Sequence, residues 1–408
     1  MSNLPKGWKL VQLNDIVKFS NGKGHEQYID DNGDYIVVNS KFISTNGEIR
    51  KYSNENLSPL KKGDITLVMS DIPNGRALAK CYLIEEDNKY TLNQRICSLE
   101  VKNENNEFLF YKLNRNQYFL KFNDGVNQTN LRKNEVLECP IELPPLEEQK
   151  KIADILSTVD KKIAFVEENI NATEELKKGL MQKLLTEGIG HTEFKDSELG
   201  RIPKSWEVVE LLKVCEDNKR AIVDGPFGSN LKTIHFREEG IPVIQSNFVT
   251  SGKFNAKEYV YVDEDKFNSE IRSKVIGGDI VMAKIGANCG TSAIIPLEHP
   301  NALLSGNSIK ISVDQNKAST VFIDFIFKSM YSRNKLVELK SVGAQPAISM
   351  PLLKKMKIVK PLLEEQKQIA EILSTVDKKI ENLKEKKQSF EELKKGLMQK
   401  LLTGEVRV

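Results

Sequence analysis

Side chains able to do chemistry are thinly spread through the 408 residues. The four histidines, His25, His191, His235 and His299, have no metal-ligand spacing. The five cysteines, Cys81, Cys97, Cys139, Cys215 and Cys289, never form a Cys-x-x-Cys pair, and an odd, scattered set predicts reduced thiols. Asp224-Gly225-Pro226-Phe227 comes nearest to the Asn/Asp-Pro-Pro-Tyr/Phe loop of an amino-methyltransferase. Gly225 stands where the first proline belongs, however, and no Phe-x-Gly-x-Gly turn precedes it. A metal-dependent nuclease needs carboxylates that hold its ion. The chain has no Pro-Asp dipeptide, and four of its Glu-x-Lys triplets, at Glu148, Glu175, Glu365 and Glu392, fall on the repeated helical segments, where they read as solvated charges. No phosphate loop of the form G-x-x-x-x-G-K-[ST] occurs. These absences predict a chain without a catalytic centre or cofactor of its own.

What must be positioned is therefore found by stepping back to the elements, and a repeat dominates them. Residues 144–186 and 361–403 align without a gap at an offset of 217, with 31 of 43 positions identical. Both open Leu-Glu-Glu-Gln-Lys and both close Leu-Lys-Lys-Gly-Leu-Met-Gln-Lys-Leu-Leu-Thr. Weaker echoes extend the repeat: Leu4-Pro5-Lys6-Gly7-Trp8 with Ile202-Pro203-Lys204-Ser205-Trp206, Gly63-Asp64-Ile65 with Gly278-Asp279-Ile280, and Val37–Phe42 with Val243–Phe248. The expected organisation is a variable domain over 1–143, a helix over 144–188, a second variable domain over 189–360 and a second helix over 361–408.

The repeated segments carry a heptad seam. Ile152, Leu156, Val159, Ile163, Val166 and Ile170 are spaced 4, 3, 4, 3, 4, and Leu176, Leu180 and Leu184 continue a stripe after a polar stretch. The second copy offers Ile369, Leu373, Val376, Ile380 and Leu383, then Phe390, Leu393, Leu397 and Leu401. Pro144-Pro145 and Pro361 suit helix starts, with Glu147-Glu148 and Glu364-Glu365 at the positive end of each dipole. The two helices are expected to pair antiparallel within the chain, against the alternatives of a merely stiffening hairpin or pairing between two copies. The variable regions read as mixed α/β, with short strands such as Asp64–Met69 and Asp279–Lys284 broken by Gly- and Asn-containing turns.

Composition sets limits without deciding a function. Hydrophobic residues make up 39% and charged residues 29%, as in a globular chain, and the net charge of +3 announces no nucleic-acid binder, so any such footprint must lie in arrangement. No run of about 18 apolar residues exists and no apolar signal core opens the chain, so a cytoplasmic protein without a membrane partner is expected.

The Gly-Trp opening at Trp8, the Gly-Asp-Ile strands, Asp224-Gly225-Pro226-Phe227-Gly228-Ser229, Gly306-Asn307 and the helix starts and endings together resemble the specificity subunits of Type I restriction–modification systems, over essentially the whole chain. The resemblance implies an α+β protein, with two pseudo-symmetric α/β target recognition domains connected by two long helices that form an antiparallel coiled coil. Each domain would read one half of an asymmetric, bipartite double-stranded DNA target. The helices would set the spacer and dock two methyltransferase subunits, through which restriction subunits are recruited. S-adenosylmethionine, ATP and magnesium would reside on those partners. A recognition subunit of a related multi-subunit system with another cleavage mode stays open as an alternative.

Base reading needs hydrogen-bonding groups in loops. In the first domain the candidates are Asn39, Ser40, Lys41, Asn74, Arg76, Asn93, Gln94 and Arg95, with a second cluster at Asn127, Gln128, Asn130, Arg132 and Lys133. In the second they are Gln245, Ser246, Asn247, Lys284, Asn288, Asn307, Ser308, Gln345 and Ser349, with Lys354, Lys355 and Lys357 as phosphate contacts. The glycine-rich Gly286–Gly290 reads as a tight turn, either beside DNA or merely structural.

Overall fold

The computed structural model describes residues 4–72, 75–341 and 346–408. The chain divides into two compact units, residues 1–168 with 384–408, and residues 169–383. The fold is α+β, and each unit is built on the same plan.

In the first unit a four-stranded antiparallel sheet runs in the order Val17–Asn21, Ile96–Val101, Ile65–Val68, Cys81–Leu83. A three-stranded sheet lies alongside, with Tyr35–Val38 between Tyr52–Ser53 and Tyr90–Leu92. The second unit repeats this with Ile222–Asp224, Ser308–Ile311, Ile280–Ala283 and Ser292–Ile294, beside a four-stranded sheet centred on Ile241–Ile244 and Ala302–Leu304. The Gly-Asp-Ile echo is explained by the entry to the central strands. Gly63 and Gly278 both take φ +90, which favours glycine. Asp64 accepts the Lys61 N–H at 3.0 Å and Asp279 accepts the Ile276 N–H at 2.9 Å, closing the turn. Burial raises both carboxyls above their ordinary range. The strands that follow, Ile65–Val68 and Ile280–Ala283, are buried on both faces, so they lack a polar-out alternation; the one polar residue, Thr66, donates its hydroxyl to the Tyr82 carbonyl at 3.1 Å. All five cysteines are free and buried, and burial pushes Cys97, Cys139 and Cys215 up to about 12.

Two helices of 39 residues, Leu146–Leu184 and Leu363–Leu401, occupy the repeated segments. Their shared Glu-Glu-Gln start welds each to its unit. Gln149, fully buried, donates to the Pro144 carbonyl at 2.9 Å and accepts the Asn105 N–H at 3.0 Å, beside the helix Asn106–Leu113 that Asn105 caps. Gln366 repeats this with the Pro361 carbonyl and the N–H of Ser319, the cap of helix Thr320–Ser332. Glu148 accepts the indole N–H of Trp8 at 3.3 Å and pairs with Arg407, while Glu365 accepts that of Trp206 at 2.9 Å and bonds His191 at 2.8 Å. This corrects the reading of Glu148 and Glu365 as solvated charges: a buried indole N–H needs an acceptor, and each supplies it.

The seam also departs from expectation. Ile152, Leu156, Val159, Val166, Ile170 and Leu184 are buried, but Leu176 and Leu393 are 53% and 49% exposed. Counting 4 and 3 onward from Ile170 lands on Thr173 and Lys177, and from Leu383 on Lys387, Phe390 and Lys394. In the first unit Lys394 meets Asp160 and Lys387 meets Glu167, both at 2.6 Å; in the second unit Lys177 meets Asp377 at 2.6 Å. The heptad register thus runs on unbroken through lysines whose ammonium groups find carboxylates, and the leucines one residue away face outward.

Candidate nucleic-acid interface

In the first unit, the loops leaving one end of the sheets are stitched together by backbone hydrogen bonds. The Asn93 N–H donates to the Val38 carbonyl at 3.1 Å, which brings Asn39–Lys41 beside Asn93–Arg95. Gln94 N–H donates to Lys23, Met69 N–H to Arg95, and Leu131 N–H to Met69, drawing in three further loops. Gly22 is required here, because a Cβ would lie 2.0 Å from the Asn93 carbonyl oxygen.

On this scaffold Ser40, Lys41, Gln94 and Arg95 are exposed. Asn39 spends its side-chain oxygen capping the short helix Ser40–Ser44, accepting the Phe42 N–H at 2.9 Å. Arg95 has φ +67, unusual for a residue with a side chain, and the buried Asn93 Oδ1 has no hydrogen-bond partner among the described residues. The Gln94 amide donates to Glu26 at 2.5 Å. Asp71 gathers the N–H groups of Ile72, Ala77 and Leu78, fixing the loop that carries exposed Arg76. Asn74 lies outside the described residues. Gln128 and Asn130 both bond the Ser70 hydroxyl, at 2.9 and 2.6 Å, and so join the same group of loops. Asn127 instead closes a turn onto Asp124. Arg132 and Lys133 are exposed at the start of Lys133–Leu137, Lys133 over the Phe19 ring.

The second unit repeats the scaffold with other side chains. Ser305 N–H donates to Ile244, next to Gln245–Asn247, and Gly225 approaches so closely that a Cβ would lie 1.9 Å from the Ser305 oxygen. Lys284 N–H donates to Asn307, and Ile348 N–H to Lys284, which adds Ser349 at the cap of Met350–Lys355. Asn247, Asn288 and Asn307 are exposed, while Gln245, Ser246 and Ser349 are half-buried. Gln345 lies outside the described residues. Two candidates are corrected. Ser308 is fully buried, its hydroxyl paired with Ser305 at 3.0 Å, because it begins a central strand. Lys284 is largely buried against Asp224 at 2.6 Å, so it braces the Asp224 loop. Of the phosphate candidates, Lys355 is exposed, Lys354 half-buried, and Lys357 stands between Glu198 and Glu210 at 3.8 Å each.

One feature escaped the sequence reading. Phe227 is 65% exposed on the Asp224 loop, with the Arg272 guanidinium 5.7 Å from its ring centre. Its signal was present in Asp-Gly-Pro-Phe-Gly-Ser, a proline- and glycine-flanked aromatic. The arrangement offers amide, guanidinium and ammonium groups suited to base edges and phosphates. His25 is buried between the Lys23 carbonyl and the Thr91 hydroxyl. Among the described residues no three His, Cys, Asp or Glu side chains form a metal-ion set, and no helix is long and apolar enough to cross a membrane.

The family model for the Type I restriction modification DNA specificity domain matches residues 5–175 and 203–392. The chain belongs to this family, that of Type I restriction–modification specificity subunits. It is 31% identical over 417 residues to the Type I restriction enzyme MjaVIII specificity subunit of Methanocaldococcus jannaschii, covering 99% of this chain and 94% of that relative. It is 23% identical over 295 residues to the EcoBI specificity subunit of Escherichia coli, covering 68% of this chain and 60% of the other. The fold matches the crystal structure of a Type-I restriction-modification system S subunit from M. genitalium with a TM-score of 0.61 at 16% identity, over 98% of this chain and 97% of that one. The family's two matched stretches each contain one copy of the glycine-locked loop scaffold.

Proposed function

We propose that this chain is the non-catalytic DNA-reading subunit of a Type I restriction–modification complex, each unit reading one half of an asymmetric bipartite duplex target. The observation that carries this is the duplicated scaffold. Gly22 against Asn93 and Gly225 against Ser305 hold equivalent loops, yet the exposed residues on them differ, Gln94 and Arg95 in one and Asn307 in the other. Same frame with different letters predicts two different half-sites. The long helices act as an antiparallel coiled coil that sets the spacer and docks two methyltransferase subunits; the Asp160–Lys394 and Glu167–Lys387 pairs, in which one number falls as the other rises, support this direction. Methyl transfer and cleavage, with S-adenosylmethionine, ATP and magnesium, belong to the methyltransferase and restriction subunits. Methylome sequencing of a host carrying only this system tests the reading. A motif of two unlike halves separated by an unread spacer is expected, and a short continuous motif would overturn it.

A further inference from the structure

The second unit holds a cleft of about 410 Å³ apart from the loops that carry the base-reading candidates. Its lining brings together five cations from separate parts of the chain: Lys219 and Arg220 before the edge strand Ile222–Asp224, Arg272 and Lys274 after the helix Glu264–Ser269, and Lys310 on the strand Ser308–Ile311. Lys219 and Arg220 are exposed, and the other three are half-buried. Two carboxylates share the cleft. Asp279 is turned inward, accepting the Ser312 hydroxyl at 2.6 Å and the Ile276 N–H, and Glu216 accepts the Asn218 amide at 2.8 Å. Among the described residues Lys219, Arg220, Lys274 and Lys310 form no ion pair, whereas Arg272 reaches Asp224 at 3.6 Å and overlies Phe227. The cleft therefore begins at the rim of the Asp224 loop and carries a net excess of positive charge away from it, five cations against two carboxylates, with Asp279 in the field of Lys310.

At the two strand positions that carry Lys274 and Lys310, the first unit has no cation. Lys274 lies opposite Leu303, the partner of Val243; in the first unit Pro59 lies opposite Thr91, the partner of Val37. Lys310 pairs with Val281, the residue after Ile280, and its counterpart Ser98 pairs with Thr66, the residue after Ile65. Two lysines of one unit thus replace a proline and a buried serine of the other, so the shared fold does not demand them. Gathering like charges costs free energy unless an anion is near. Cations strung along an open cleft suit a chain of phosphates, while a single small anion would be met by converging donors.

We propose that this cleft seats the DNA sugar–phosphate backbone beside the half-site read by the second unit, and that it makes this unit the chief source of sequence-independent affinity. The inference rests on the DNA-reading function proposed above. Lys274→Gln with Lys310→Gln, and separately Lys219→Gln with Arg220→Gln, are compared with wild type in the full chain purified with its methyltransferase partners. Binding is measured between about 50 and 200 mM salt, on a duplex carrying the methylated motif and on a scrambled duplex. Each lost phosphate contact lowers the slope of log K against log salt by about 0.9. Each pair is expected to lower it by about 1–2, weakening both duplexes alike and leaving the methylated motif unchanged. An unchanged slope, or weakening confined to one base position, overturns the cleft as a backbone seat. The exposed Lys219–Arg220 pair decides the matter if the strand pair fails to fold. A wild-type complex that methylates no specific sequence sinks the DNA-reading proposal itself, a result separable from either variant.

Discussion

Arg95 holds an exposed guanidinium on a backbone with φ +67, a conformation costing a residue with a Cβ roughly 1–2 kcal/mol. Its carbonyl accepts the Met69 N–H, which fixes that shape. Strain retained beneath an exposed side chain is consistent with a job for the side chain. Arg95→Ala is expected to weaken specific binding by about 1–3 kcal/mol and relax one position of the methylated motif. Arg95→Gly should lose the same reading yet melt at a higher temperature than Arg95→Ala, because glycine relieves the strain. Equal melting temperatures would remove strain from the account, and an unchanged motif would remove Arg95 from the readers. Arg95 could be nominated from its loop composition, but the exclusion of Ser308 could not. Whether a serine that begins a strand faces solvent or core depends on a register one residue either way. Lys284 likewise looked available until folding placed Asp224 against it.

At the scale of elements, the long helices were the most legible part, since 4-3 spacing over two near-identical copies has few other readings. Their ends were legible only in type. Paired glutamates looked like dipole partners, and nothing local could say that Trp8 and Trp206 would come to them. Nor could composition reveal lysines in a seam, because the carboxylates they meet lie 200 residues or more away in sequence. Leu156, fully buried, should cost about 2–5 kcal/mol when cut to alanine. Leu176→Ala should change stability by less than about 0.5 kcal/mol. Thermal melts separate the two, and a large loss at Leu176 would contradict its exposure. Acid sensitivity belongs to the same helix start. Hydrogen bonds from Arg407 hold Glu148 below its ordinary value of 4.5, against the opposing effect of burial. A carboxyl depressed in the folded state adds stability that is present above the unfolded value and lost as pH falls through the folded one. Arg407→Ala should therefore lower the melting temperature at neutral pH, with the gap from wild type closing below pH 4.5. A gap that persisted undiminished in acid would assign the loss to packing.

At the scale of the whole molecule, the proposed spacer function makes a metrical prediction. One heptad added at matching points of both long helices keeps the seam in register and lengthens each by about 10.5 Å. That corresponds to roughly three base pairs of duplex at 3.4 Å each. The methylated motif should keep both halves and gain about three unread positions, whereas an unchanged spacer would deny the helices the measuring role.

The first unit is assembled from both ends of the described chain. Leu401 and Leu402 are buried in one core with Trp8, Ile152 and Leu156, and Arg407 reaches the Lys6 carbonyl. During synthesis, the residues that complete this core emerge only after all of the second unit. At 5–20 residues per second the early segment waits roughly ten to forty seconds. The second unit, contiguous from Asn169 to Leu383, has its own residues in hand first. The second unit can thus complete its core before the first does, while the apolar surface that Leu401 and Leu402 cover stays uncovered through the interval. That interval, rather than the finished fold, is where this chain is most exposed to aggregation and most dependent on whatever shields it.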